Sequence, residues 1–426
     1  MSGILNYLWR NGLLQNLELK TIDGEPLQIV DPGNNAEKEH LFKEAKVKIG
    51  DKVWCGDVVL NIEESRAQGE DAPTTGSTIL QVTLNKSVST IQPGSRAGLL
   101  EIVCPQELID EFSAAEQHST TFPCAEAISK LPSIQYHNYL SRLLTERIEE
   151  KQKIVERIYL QCDKKWDDTL FKVAIRSFGF GIQSSVFDEW AAILNTQALG
   201  KHHDNLTQIE AILFGQAGLL DEESIPYYYR ENAIKSSYYN ELKREYQFLS
   251  NKFGLKSIDH KMWGNSNSTP HLRIARLASL YHLDRLTISG ISAAHTLTDI
   301  YKLFSHPLNG YWHNHTCFGG TETSGNGCMR QKQVDVIIIN SVVPMLYIYG
   351  KHRKEEKLCE MAEDLLHQID PEENSIIKKW REQGVKAECA ADTQALLQLS
   401  RSYCRINNCT NCPFAYHYIK NRISNR

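Results

Sequence analysis

The chain has 426 residues and a mass of 48.6 kDa, a length that suggests two or three domains. Its 41% hydrophobic and 23% charged content excludes a disordered chain, and 47 Lys and Arg against 52 Asp and Glu, a net charge of −5, exclude a global basic field for holding a polyanion. No stretch reaches the roughly 18–20 uninterrupted apolar residues of a membrane span, and Met1 to Arg10 carry neither a basic segment nor a small-residue cleavage site, so the expectation is a cytoplasmic protein without a membrane role.

Residues 1 to about 118 read as strands and turns. Ala45-Lys46-Val47-Lys48-Ile49 alternates before a Gly50-Asp51 turn, and the β-branched stretch through Val53 and Val58-Val59-Leu60 completes a hairpin. Thr78 to Leu84, after a polar stretch from Glu64 to Ser77, and Gly98 to Val103 are further strand candidates. After Pro123 the apolar period becomes helical, starting with Ile134 to Leu160. Further helices are expected at 169–178, 186–194, 206–214, 239–249, 273–281, 334–349, 355–367, 375–382 and 393–403. The fold class predicted is α+β, with a mixed α/β domain over 1–118 and a larger, mainly helical domain over 119–426.

Blocks in this order resemble a bacterial family of unknown function, DUF2851. They are Leu8-Trp9 with Thr21-Ile22-Asp23-Gly24-Glu25-Pro26, Phe214-Gly215-Gln216-Ala217-Gly218, Met262-Trp263 with Pro270-His271-Leu272-Arg273, Asn340-Ser341-Val342-Val343-Pro344, and Gln394-Ala395-Leu396 with Tyr403-Cys404. The family's N-terminal pattern in turn looks like the PD-(D/E)XK nuclease superfamily, with a restriction-endonuclease-like sheet. There, two carboxylates on adjacent strands hold Mg²⁺, which polarises a phosphodiester and activates water.

The resemblance implies a site that this chain has lost. Leu41 stands at the family's Asp, Val59 at its Glu, and Asn61 and Gln81 at its two His positions. Leu and Val offer no oxygen to a hard cation, which leaves Mg²⁺ without ligands. Asp57, on the same strand face as Val59, and Glu63 are the substitute carboxylates; the alternative is that they are solvated edge acids. The expectation is therefore a non-catalytic nuclease-derived protein with a DNA- or RNA-binding surface. A protein-interaction scaffold without a nucleic-acid role is the alternative, and an intact metal-dependent nuclease using Asp57 and Glu63 is the third.

Cys404-x4-Cys409-x2-Cys412 has ligand-like spacing, with Cys389 as the fourth candidate. Such a group suits zinc or an iron–sulfur cluster, or else is a nest of reduced buried thiols. The odd total of 11 cysteines argues against a disulfide framework. Arg273 and Arg276, one helical step apart beside Pro270 and His271, either grip phosphates or form salt bridges within the helical domain. His202-His203-Asp204 precedes a helix carrying Glu210; this group is either acid–base machinery, or Asp204 or Asn205 is the N-cap and the histidines lie on the surface. In the signature block, Gly215, Ala217 and Gly218 suit close helix packing and Gln216 a buried hydrogen-bonding role.

Overall fold

The structure, a computed structural model, describes residues 2–10, 14, 19–21, 23–35, 41–61, 78–84, 98–102, 122, 124–179, 183–264, 270–325, 327–406, 408–415 and 417. Two compact units result. The first comprises Met1–Leu143, Glu373–Ala387 and Ala395–Arg426; the second comprises Leu144–Glu372 and Glu388–Gln394. The change of apolar period near residue 118 is therefore not where the units divide. The first unit also takes in the start of a long helix and two later segments, Glu373–Ala387 and Ala395–Arg426.

The first unit is built on a mixed sheet of β1 (Leu19–Lys20), β2 (Pro26–Asp31), β3 (Asn34–Asn35), β4 (Leu41–Ile49), β5 (Lys52–Asn61), β6 (Thr78–Leu84) and β7 (Gly98–Ile102), in the order β1-β2-β4-β5-β6-β7 with β3 alongside β4. Its antiparallel half alternates as one-sided sheets do. Leu27, Ile29, Phe42, Ala45, Val47 and Ile49 are buried, while Gln28, Val30, Lys46 and Lys48 face water. From Val58 to Leu60 three successive residues are buried, so both sheet faces are covered where β5 pairs in parallel with β6. Helix α1 (Ser2–Arg10) replaces the strand-and-turn expectation at the N-terminus. Leu5, Leu8 and Trp9, spaced three and four apart, are buried, and Trp9 Nε1 donates to Pro32 O at 3.0 Å.

The rest of the described chain is helical, which bears out the α+β class. The helices are α2 (Ala125–Ser129), α3 (Ser133–Gln161), α4 (Trp166–Phe178), α5 (Ser184–Ile193), α6 (Thr196–Lys201), α7 (Leu206–Gln216), α8 (Tyr227–Lys235), α9 (Ser237–Phe253), α10 (His271–His282), α11 (Ile288–Ser292), α12 (Leu297–Phe304), α13 (Gln331–Ile337), α14 (Val343–Arg353), α15 (Glu356–Gln368), α16 (Ser375–Glu382) and α17 (Ala390–Leu399). A π turn, Ile338–Val342, joins α13 to α14. Pro344 explains it, because proline has no N–H and its ring crowds the carbonyl of Asn340. The joined helix Gln331–Arg353 is long and apolar enough, by length and composition, to cross a membrane, with mean hydropathy 1.4, yet 67% of that window is buried inside the protein, as in a core helix.

The signature block at the end of α7 packs as its composition suggests. A Cβ on Gly215 would strike the Tyr246 ring, so this glycine lets α7 and α9 meet. Gly218, at φ +71°, turns the chain under Ile258 O. Gln216 is a buried hub: its Oε1 accepts from Asn195 N at 3.1 Å, and its Nε2 donates to Ile193 O at 3.2 Å and Lys256 O at 3.0 Å.

Candidate functional site

Leu41, Val59 and Gln81 on the sheet are neighbours in register. Leu41 on β4 is in register with Val59 on β5, and Val59 is in register with Gln81 on β6. Residues paired this way share a sheet face, with adjacent strands about 4.8 Å apart. The three residues thus form a row across three strands. Val59 is 3% exposed, and Leu41 and Gln81 are half-buried. Asn61 lies two residues further along β5, in register with Thr83. Glu63 falls outside the described residues.

Asp57 sits at an irregular point beside this row. On β4, Lys43 and Glu44 lie between the register pairs Phe42–Val58 and Ala45–Gly56, so two residues oppose the single Asp57. Glu44 takes φ +60°, and Gly33, at φ +79°, lies so close that an added Cβ would meet Lys43 O. The pairing with β6 also shifts between Asp57 and Val58. Bulges of this kind re-aim side chains and recur beside active sites. Here the bulge brings one half-buried carboxylate near the row, two residues from Val59.

Arg273 and Arg276 lie on α10, half-buried. Arg273 Nη1 donates to Phe178 O at 3.1 Å and Arg276 Nη2 donates to Gly327 O at 2.9 Å. Burial draws both guanidinium pKa values below their ordinary level. Each arginine thus ties α10 to neighbouring backbone through a carbonyl.

Cys404, Cys409 and Cys412 lie in the first unit. Cys389 belongs to the second unit, its Sγ 3.7 Å from His367 Nδ1. Cys124, at the N-cap of α2, belongs to the same unit, and the charges of Cys412 and Cys409 act on its thiol. Phe122 stacks on Trp380 with ring centroids 3.6 Å apart, and Trp380 Nε1 donates to Ser400 Oγ at 2.8 Å, which carries the segment before α2 to the one before Cys404. On the other side Phe414 packs edge-on to Tyr139 at 5.1 Å, and Tyr139 Oη lies 2.8 Å from His417 Nε2. Burial first, then the charges of Cys412 and Cys409, raise the Cys124 pKa; burial and the other three cysteines raise that of Cys404. Burial pushes Cys412 up to about 12, against backbone N–H groups of Phe414 and Ala415 that favour its thiolate. Among the described residues no three His, Cys, Asp or Glu side chains converge closely enough to hold a single metal ion.

A polar centre that pairs Glu210 with Tyr238 and Trp312, partners the sequence did not suggest, lies inside the helical unit. Glu210 on α7 is buried and accepts from Tyr238 Oη at 2.7 Å; Trp312 Nε1 donates to Tyr238 Oη at 2.7 Å. Burial raises the Glu210 pKa to about 7, although both donors favour its carboxylate. Nearby, His271 is enclosed by the rings of Phe214, Trp312 and Phe318, with centroids 5.1–6.1 Å away. Neither of its ring nitrogens has a hydrogen-bond partner among the described residues, and burial lowers its pKa to about 3. A neutral imidazole and a carboxyl titrating near neutrality can serve proton transfer. The legible signal was positional: His271 and Phe214 fall in signature blocks, and Glu210 lies one helical turn before Phe214.

The histidines before α7 have structural partners. Asn205 is the N-cap, accepting from Gln208 N at 3.1 Å; His202 Nδ1 lies 2.6 Å from Gln208 Oε1, and His203 Nε2 lies 3.1 Å from Tyr281 O.

A family model described as a protein of unknown function (DUF2851) matches residues 3–375. The match includes Cys124 and ends before Cys404. No curated protein and no solved structure matches the chain.

Proposed function

Because the chain belongs to the DUF2851 family, we propose that it is a non-catalytic, nuclease-derived protein that has kept a polynucleotide-binding surface on an altered sheet. The observation that carries this reading is the row Leu41–Val59–Gln81. The three positions align across β4, β5 and β6 as a two-carboxylate metal site requires, yet two are apolar. A hard cation takes oxygen ligands, so neither Leu41 nor Val59 could hold the Mg²⁺ that this chemistry uses. Asp57 alone would supply too few ligands.

In this reading polynucleotide contact falls to the open face of the sheet, where Lys46 and Lys48 project from β4 into water. Arg273 and Arg276 contribute through whatever donors their carbonyl bonds leave. That engagement favours a second reading, a protein-interaction scaffold without a nucleic-acid role.

A salt titration of single-stranded, duplex and branched DNA and of RNA, with Mg²⁺ present and products analysed, separates the readings. Binding that falls steeply with salt, without cleavage, is expected. Lys46→Ala with Lys48→Ala should flatten the log–log salt slope by about 2, whereas Arg273→Ala with Arg276→Ala should lower thermal stability more than affinity. Cleavage would overturn the non-catalytic part. Absence of binding at low salt would leave the scaffold reading.

A further inference from the structure

We propose that a basic and aromatic stripe on α9, together with Lys201 at the end of α6, binds single-stranded nucleic acid. This rests on the polynucleotide partner inferred above and adds a contact surface in the helical unit. Arg244, Phe248 and Lys252 follow one another at four-residue steps, so they share one face of α9, and all three are exposed. Phe248 leaves 61% of its surface in water.

The side chains gather at one place. Helical side chains lean toward the N-terminus, which brings the Lys252 ammonium back toward Phe248. Its Nζ lies 5.8 Å from the Phe248 ring centroid and 5.1 Å from that of Phe253. Lys201 approaches from α6, with Nζ 5.3 Å from the Phe253 centroid. His202 stands edge-on to the same ring, centroids 5.7 Å apart.

These cations are not engaged in holding the fold. Lys243 on the same helix is paired with Glu222 at 2.8 Å, and Glu245 accepts from Gln208 Nε2 at 3.1 Å. Arg244, Lys252 and Lys201 have no carboxylate partner among the described residues. In a chain of net charge −5, this is a local positive field that suits a polyanion. The exposed ring selects among polyanions. Every base has a π-face that stacks on an aromatic side chain, whereas an acidic peptide would pair with the cations and leave Phe248 in water. Arg244 and Lys252, about 12 Å apart along the helix axis, flank Phe248 where the phosphates on either side of a stacked base would run.

The test uses the full chain with labelled oligothymidylate and with the same phosphodiester strand lacking bases, read by fluorescence anisotropy over a salt series. Phe248→Ala should weaken oligothymidylate binding by about 5- to 150-fold, the worth of one stacked base, and leave the abasic strand unaffected. Phe248→Trp should retain the affinity, which separates stacking from a folding defect. Arg244→Ala with Lys252→Ala should weaken both strands and flatten the log–log salt slope by about 1.4. Unchanged oligothymidylate affinity in Phe248→Ala, or an abasic strand bound as tightly as oligothymidylate by wild type, would overturn the proposal and leave the sheet as the polynucleotide surface. No binding of either strand by wild type at low salt would overturn this proposal and the polynucleotide reading together.

Discussion

Glu210 should make the stability of the helical unit fall as pH rises. Its carboxyl is 6% exposed, and burial lifts its pKa from an ordinary 4.5 to about 7. A folded pKa above the unfolded one means that the native state binds the proton more tightly. The stabilisation is therefore fully present below 4.5, is lost as pH rises through about 7, and is absent above it. The gap between the two values corresponds to about 3 kcal/mol. Glu210→Gln cannot ionise but keeps an oxygen to accept from Tyr238. Its new amide N–H groups add a cost that does not vary with pH, so the informative quantity is how the difference between variant and wild type changes with pH. In calorimetric melts from below 4.5 to above 7, that difference should move in favour of the variant by about 3 kcal/mol, or roughly 6–12 °C in Tm. A difference that stays constant across this range would show that Glu210 is ionised without penalty in the fold, and would refute the burial argument.

Other substitutions probe separate parts of the structure. Gly33→Ala must place a Cβ against Lys43 O at φ +79°, so it should lose roughly 2–3 kcal/mol in urea unfolding; a neutral result would mean that the bulge opposite Asp57 is not held there. Gln216→Leu strands Asn195 N–H and the carbonyls of Ile193 and Lys256, and a loss of about 3–5 kcal/mol is expected in the same assay. The chemistry of the sheet can be probed by Val59→Glu with Leu41→Asp. If the row is a former metal site, this pair should gain measurable Mg²⁺ binding by calorimetry while retaining native circular dichroism; a folded variant that binds no Mg²⁺ would count against the nuclease-derived reading.

Much of the helical unit was legible in the residues. Apolar spacing located α3, α4, α7, α9, α10 and α15 to within a few residues, because one buried helix face writes its period into the chain. Short or polar helices escaped. In α8, Tyr227-Tyr228-Tyr229-Arg230 buries little, with only Ala233 enclosed, so no stripe appears. Helix α1 was hidden by its brevity. The signature block was read correctly because glycines and a single amide between apolar residues leave few packing solutions.

By itself, the sequence determined the α+β class and the family. Residue identity and local period are properties of a short stretch of chain. Only the tertiary structure decided that Leu41, Val59 and Gln81 stand in one row, since strand register depends on pairing partners and on the bulge at Lys43 and Glu44. It likewise decided that Arg273 and Arg276 donate to backbone carbonyls and that Glu210 is desolvated. Those outcomes rest on contacts between residues far apart in the chain. They are set by how buried faces pack, which no local pattern records.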